Sequence, residues 1–192
     1  AVDIQPESIG ASYSAMLRFA ETPAGQRGPV ATTPSRVDLT VEPPTENLLL
    51  PQVSQDRLFG TLRLGRTGKV YLLLDRSDAG QPWFDRLIID ANTNRDFRDD
   101  AVLTGRSLHS DLRQMGYTEF TAVTLNLYYG HETNEKFAFT FYTWYPRSGA
   151  LKEMFYTSAS WREGDIEIDG QAMRIGVFDN DSDGMFTIKH AI

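Results

Sequence analysis

The fold is decided by residues 136–145, which read KFAFTFYTWY. Phenylalanine stands at every second position, at 137, 139 and 141, and smaller or polar residues lie between. Successive side chains of a β-strand point to opposite faces, so this spacing predicts a strand that buries one face. The segment therefore indicates a sheet whose apolar face packs against a core.

Short segments on both sides of residues 136–145 also predict strands, and turn residues separate them. Gly65 and Gly68 bound one predicted hairpin turn, and Asp169-Gly170 is typical of a two-residue turn. Residues 106–115 predict the one short helix. The predicted strands are Leu58–Leu64, Lys69–Leu74, Trp83–Ile89, Ala122–Tyr129, Lys136–Tyr145, Met154–Trp161, Asp165–Ile168 and Met173–Phe178.

This series predicts a mostly β fold, either an antiparallel β-sandwich or an open barrel, with little helix. A mixed α+β fold is the alternative. Seven of the nine prolines lie in the first 56 residues, a composition typical of extended backbone. We therefore expect a single domain: residues 1–56 form an extended Pro-rich N-terminal arm with one possible strand, and residues 57–192 form the β-rich part.

Charge and composition exclude several classes of function. The chain carries 26 acidic and 19 basic residues, a net charge of −7, which argues against nucleic acid and against anionic membrane surfaces. Its longest apolar stretches are too short for a membrane helix, so no membrane insertion is expected. Cysteine is absent, which excludes disulfides and thiolate metal sites. A start at Ala1 without methionine is compatible with a removed signal peptide, so we expect an extracellular or periplasmic protein.

Two acidic loops form the internal repeat of the sequence. Residues 87–97 read LIIDANTNRDF and residues 176–186 read GVFDNDSDGMF. Each places oxygen-bearing residues at positions one, three and five after an apolar strand end, and phenylalanine at position eight. Calcium takes about six to eight oxygen ligands, and alternate residues of a tight loop can supply them. The predicted ligands are Asp90, Asn92, Asn94, Asp96, Asp99, Asp100, Asp179, Asp181, Asp183 and Met185, with Asp96 and Met185 contributing backbone carbonyls.

The loops depart from an EF-hand in different ways. Gly184 occupies position six, where the backbone turns sharply, whereas Arg95 occupies it in the first loop. Position twelve holds Ala101 and His190 instead of glutamate. The alternative interpretation is a metal-free turn, in which Asp and Asn bond to nearby backbone and Arg95 and Arg98 neutralise the acids. The sequence thus predicts one or two calcium ions.

The first loop, with its pattern Asp-x-Asn-x-Asn-x-Asp-Phe-x-Asp-Asp, resembles the calcium loops of dockerins and thrombospondin type 3 repeats. It is more similar to a group of bacterial secreted β-rich proteins of unassigned function, in which a second such loop follows a later hairpin. The resemblance covers about Leu58–Asp100 and Asp165–Phe186. It implies a secreted β-rich domain with calcium in both loops, and it implies no activity.

Exposed aromatic residues suggest a binding surface. Tyr129, Tyr142 and Trp144 alternate with inward-facing neighbours and could stack on sugar rings, unless a second layer covers them. We therefore expect a binding or interaction module in which calcium is structural and the partner is a carbohydrate or a cell-surface protein. A calcium-stabilised extracellular hydrolase and a passive domain of a larger surface protein are the alternatives, and no spacing of carboxylates selects a catalytic pair.

Overall fold

The structure is a computed structural model that describes residues 16–23, 32–53, 55–65, 68–78, 80–110, 115–128, 134–145, 150–168 and 170–184. All regular elements in these ranges are strands, and none of the described segments is helical. No described helix is therefore long and apolar enough to cross a membrane. The strands are β1 Arg18–Glu21, β2 Ser35–Thr40, β3 Leu58–Leu64, β4 Gly68–Asp75, β5 Arg86–Ile89, β6 Val102–Thr104, β7 Arg106–Ser110, β8 Met115–Tyr128, β9 Asn134–Tyr145, β10 Glu153–Ser158, β11 Ser160–Ile168 and β12 Gln171–Phe178.

Nine of these strands form an antiparallel, nearly closed barrel in the order β6-β5-β4-β3-β2-β10-β9-β8-β7. Its two edge strands, β6 and β7, follow one another in the chain with only Gly105 between them. A Cβ at position 105 would lie 2.6 Å from Thr118 and 2.7 Å from Phe120, both on β8. Glycine at position 105 therefore leaves room for the bend between β6 and β7, where the two edges of the sheet come together.

The barrel interior holds the main hydrophobic core. Phe137, Phe139 and Phe141 of β9 are fully buried there, as their alternate spacing predicts. A second, smaller cluster lies on the outer face of β3, β4 and β5 and contains Phe59, Leu73, Ile88 and Phe97. Leu48, Leu50 and Val53 pack over this second cluster, so both faces of that part of the sheet are covered.

The remaining strands form a three-stranded sheet in the order β1-β11-β12. Only Ala159 separates β10 of the barrel from β11, and its amide donates to the carbonyl of Ala138 at 2.7 Å. The predicted strand Met154–Trp161 is therefore two strands that belong to different sheets. β12 pairs antiparallel with β11, and Asp179, the residue after β12, lies at the barrel wall.

The predicted mostly β fold with little helix is confirmed, and the architecture is the barrel rather than the sandwich. The helix predicted over residues 106–115 is wrong: Arg106–Ser110 is strand β7, and β8 begins at Met115. Antiparallel pairing with the next strand, β8, outweighs the weak local helical preference of this segment. Both predicted hairpins are present, since β3 pairs with β4 through Leu64 and Gly68, and β11 pairs with β12 through Ile168 and Gln171.

The extended arm is not shown. Ser35–Thr40 is a barrel strand between β3 and β10, and Arg18–Glu21 pairs with β11. Residues 1–15, 24–31 and 54 of the predicted arm lie outside the described residues. Within the described part, Leu48, Leu50 and Val53 pack over the second cluster and belong to none of the strands.

Candidate metal centre

The second acidic loop begins where β12 ends, and a buried carboxylate organises it. Asp179 is 0% exposed, and it accepts hydrogen bonds from the amides of Asp183 at 3.1 Å and Gly184 at 2.9 Å. Ser182 and Gly184 have positive φ angles of 56° and 76°. Glycine adopts this conformation without a steric penalty, which accounts for Gly184 at the turn.

Three carboxylates converge in this loop. Asp179, Asp181 and Asp183 each offer an oxygen, and these oxygens lie within 4.8 Å of one another. Burial is the main cause that raises the pKa of Asp179 to about 6; the charges of Asp183 and Asp181 contribute to this rise, and the two amide hydrogen bonds oppose it. The loop thus concentrates negative charge around one centre. Met185, whose carbonyl was predicted as a further ligand, lies outside the described residues.

The first acidic loop repeats this geometry at the same offsets. Asp90 is fully buried and accepts from the amides of Asn94 at 3.0 Å and Arg95 at 3.1 Å, as Asp179 does from the residues four and five positions later. Thr93 and Arg95 have φ angles of 58° and 67°, which match the positive angles of the second loop. The sequence repeat is therefore also a structural repeat, and Arg95 takes the backbone conformation that Gly184 takes.

The side chains of the first loop are more strongly engaged with protein groups. Asn92 accepts from the amide of Asn94 at 3.0 Å, and Asn94 accepts from the amide of Asp96 at 2.7 Å. Arg98 donates to both carboxylate oxygens of Asp96 at 2.7 Å, and this hydrogen bonding lowers the pKa of Asp96. The side chain of Asp96 is thus paired with arginine, and its predicted metal contribution rests on its carbonyl.

The last two carboxylates of the first loop, those of Asp99 and Asp100, fold back over the loop. Asp99 accepts from the side-chain amides of Asn92 at 3.3 Å and Asn94 at 2.8 Å. Asp100 accepts from the amide of Ala91 at 3.3 Å through Oδ1, while its buried Oδ2 has no hydrogen-bond partner among the described residues. Burial, together with the charges of Asp90, Asp99 and Asp96, raises the pKa of Asp100 to about 6. A buried carboxylate oxygen without a donor is costly, and a cation would satisfy it.

Different contacts anchor the two loops to the barrel. In the first, Phe97 is buried in the outer cluster and its amide donates to the carbonyl of Leu49 at 2.9 Å. In the second, the Ser182 hydroxyl accepts from the amide of Ser158 at 2.8 Å. Ser182 had no recognisable signal in the sequence, because serine is ordinary in turns and its partner is 24 residues away.

Two of the three aromatic residues predicted on an outer face, Tyr142 and Trp144, lie in one group of rings. The ring centroids of Trp144 and Tyr117 are 4.7 Å apart, and those of Tyr142 and Phe155 are 5.8 Å apart. Tyr142 also contacts Tyr117 at 5.9 Å, so four rings form a row across β8, β9 and β10, here called the aromatic row. Trp144 is 48% exposed. Tyr117 and Phe155 were missed because only strand register shows that they are neighbours, and Tyr129 lies outside the described residues.

Comparison of the chain with protein-family models, with curated proteins and with solved structures finds no match in any of the three.

Proposed function

We propose that this protein binds one calcium ion in the loop at Asp179–Asp183 and a second ion in the loop at Asp90–Asp100. We further propose that both ions stabilise the fold. One observation carries the proposal: the oxygens of Asp179, Asp181 and Asp183 converge within 4.8 Å. Three carboxylates so close repel one another unless a cation lies between them. The matching backbone geometry of the first loop supports a second site of the same kind.

Calcium is the ion that this chemistry favours. The candidate ligands are carboxylate, amide and carbonyl oxygens, which suit a hard cation, and residues 90–100 and 179–184 contain neither cysteine nor histidine. Magnesium demands near-ideal octahedral geometry and keeps several waters, whereas calcium accepts irregular sets of oxygen ligands. A loop that places ligands on alternate residues supplies such an irregular set.

The ion's role is structural because the loops join distant parts of the barrel. The second loop bonds to Thr33, just before β2, and to Gly65, just after β3. The first loop holds Phe97 in the outer cluster. A cation that binds only the folded loops stabilises the native state by mass action.

We expect the second loop to bind more tightly. It has three carboxylates at positions one, three and five, whereas the first has asparagine at two of these positions and Arg98 paired with Asp96. Neither loop has glutamate at position twelve. Fewer charged ligands weaken calcium binding, and extracellular modules have dissociation constants of about 0.1 to 1 mM. Weak sites of this kind suit a secreted protein.

Calorimetric titration with calcium after chelation tests the proposal. We expect the tighter site to titrate in the wild type and to be lost in Asp181→Asn, which removes one converging charge. Asp165→Asn is the matched control, since Asp165 is an exposed residue paired with Arg174 far along β11. Equal titration of Asp181→Asn and the wild type would show that the second loop is not the site.

A second candidate function is carbohydrate binding at the aromatic row. Its support is the exposed ring of Trp144 packed against Tyr117, since flat aromatic surfaces with polar edges suit sugar rings. Quenching of tryptophan fluorescence by soluble neutral oligosaccharides measures such binding. We expect Trp144→Ala to abolish oligosaccharide retention on an affinity gel, and Met173→Ala, which removes an equally exposed side chain (48%), to preserve it. Retention that survives Trp144→Ala would contradict this candidate.

A further inference from the structure

Strands β2 and β3 are neighbours in the barrel, yet they part after a short paired stretch. Their register contains only Leu39 opposite Gly60 and Thr40 opposite Phe59. β2 begins four residues before Leu39, at Ser35, and β3 continues four residues beyond Gly60, to Leu64. Residues 35–38 and 61–64 therefore form two facing edges that are not paired with each other.

The direction of the peptide groups along these edges follows from one hydrogen bond. The amide of Leu39 donates to the carbonyl of Lys152 at 2.8 Å, so the peptide groups of Leu39 face β10. Facing directions alternate along an antiparallel strand. The peptide groups of Arg36 and Asp38 therefore face β3, and by the same alternation those of Thr61 and Arg63 face β2.

A cavity of about 790 Å³ lies between the two edges. Its inner wall includes Val37, Leu62 and Tyr156, which belong to the barrel core. The exposed residues Arg36 and Arg63 lie at its solvent-facing rim. The volume is within the range of small-molecule pockets, about 300 to 1,000 Å³.

The second acidic loop closes the wide end of this cleft. The carbonyl of Asp183 accepts from the amide of Gly65, just beyond β3, at 2.8 Å. The carbonyl of Asp181 accepts from the Ser35 hydroxyl at 2.8 Å, and the carbonyl of Asn180 accepts from the amide of Thr33 at 2.9 Å. The loop thus bonds to both edges and sits between them, at the end opposite the paired positions.

We infer that this cleft binds an extended peptide segment of a partner protein, which adds as a strand between β2 and β3. Two facing rows of peptide groups are matched by an extended backbone, which offers donors and acceptors on both sides. Alternate side chains of that segment enter the apolar wall formed by Val37, Leu62 and Tyr156, and the others point to solvent. The segment therefore carries apolar residues at every second position. This inference goes beyond calcium binding and does not depend on it.

Fluorescence anisotropy with a labelled peptide of about four residues that alternates valine and threonine tests the inference, since the edges 35–38 and 61–64 are each four residues long. The control is the same peptide with N-methyl groups on alternate residues, which keeps the side chains and removes the amide donors. We expect saturable binding of the first peptide, and binding weaker by about tenfold or more for the second, because several backbone hydrogen bonds are lost. Equal binding of the two peptides, or no binding by either, overturns the inference.

Variants of Thr61 provide a second test on the protein side. Thr61→Pro removes the amide that faces the cleft, whereas Thr61→Val keeps it. We expect the proline variant to lose peptide binding and the valine variant to keep it; equal binding by both contradicts the inference. If the proline variant does not fold, the methylated peptide decides. Calcium titration of the same samples separates the two proposals: calcium uptake without peptide binding refutes the cleft alone, and selective peptide binding without calcium uptake refutes the calcium site alone.

Discussion

The buried carboxyl of Asp179 predicts an unusual pH dependence of stability in the calcium-free protein. Its pKa is about 6 in the folded state, against an ordinary value of 3.8. Because the folded-state pKa is the higher one, the folded protein binds this proton more tightly than the unfolded chain does, so stability increases as pH falls through the interval from about 6 to about 4. Between pH 7.5 and 4.5 the expected gain is about 2 kcal/mol. For a chain of this size that corresponds to a rise in melting temperature of about 4 to 8 °C.

Urea denaturation in the presence of a chelator, at several pH values between 7.5 and 4.5, measures this gain. Asp179→Asn is the comparison, since other groups such as Asp100 titrate in the same interval and their contributions cancel in the difference. We expect the wild type to gain about 2 kcal/mol more than the variant on acidification. With excess calcium the sign reverses, because protons then compete with the ion. If the free energy of unfolding of the two proteins without calcium had the same pH dependence, the assignment of Asp179 as a buried carboxyl with a raised pKa would be refuted.

Three further predictions concern the barrel and the first loop, each measured by urea denaturation. Gly105→Ala introduces a Cβ 2.7 Å from Phe120 and should destabilise the barrel by about 1 to 3 kcal/mol. Gly68→Ala, where nothing lies within 4 Å, should have almost no effect; equal losses would argue against the closed corner. Phe97→Ala should lower the free energy of unfolding by about 3 to 5 kcal/mol because it leaves a cavity in the outer cluster. A loss below 1 kcal/mol would show that this cluster is not tightly packed. Arg95→Gly should stabilise the first loop by about 1 kcal/mol by relieving a φ of 67°, and a decrease in stability would show that the arginine side chain matters more than the strain.

Strands β3, β4, β5, β9 and β12 followed from local pattern, since alternation in β9 reflects the two faces of one strand, whereas β2 and β6 were not predicted. Barrel closure did not, because it depends on Gly105 bringing β6 and β7 to opposite edges of one sheet. The helix predicted over residues 106–115 was wrong for a different reason. The segment pairs with the strand that follows it in the chain, with Arg106 opposite Glu119 and Ser110 opposite Met115, and this pairing makes residues 106–110 a strand.

The candidate loops were predictable because their ligand pattern is local, and the shared positive φ angles follow the repeat in sequence. The preference for glycine at position six did not decide the loop geometry, since Arg95 has a positive φ like that of Gly184. The contacts that fix the loops were not predictable. Ser182 with Ser158, and Asp183 with Gly65, join residues that only the assembled barrel brings together. The aromatic row is similar, because Tyr117 and Trp144 meet through strand register.

Crystallographic anomalous difference density from crystals grown with calcium tests the central claim most directly. The proposal predicts a peak among the carboxylates of Asp179, Asp181 and Asp183, with metal–oxygen distances of about 2.3 to 2.6 Å. A weaker peak is expected at the loop of Asp90–Asp100, beside the buried Oδ2 of Asp100. Absence of any peak at Asp179–Asp183 under saturating calcium would contradict the proposal that this loop is a calcium site.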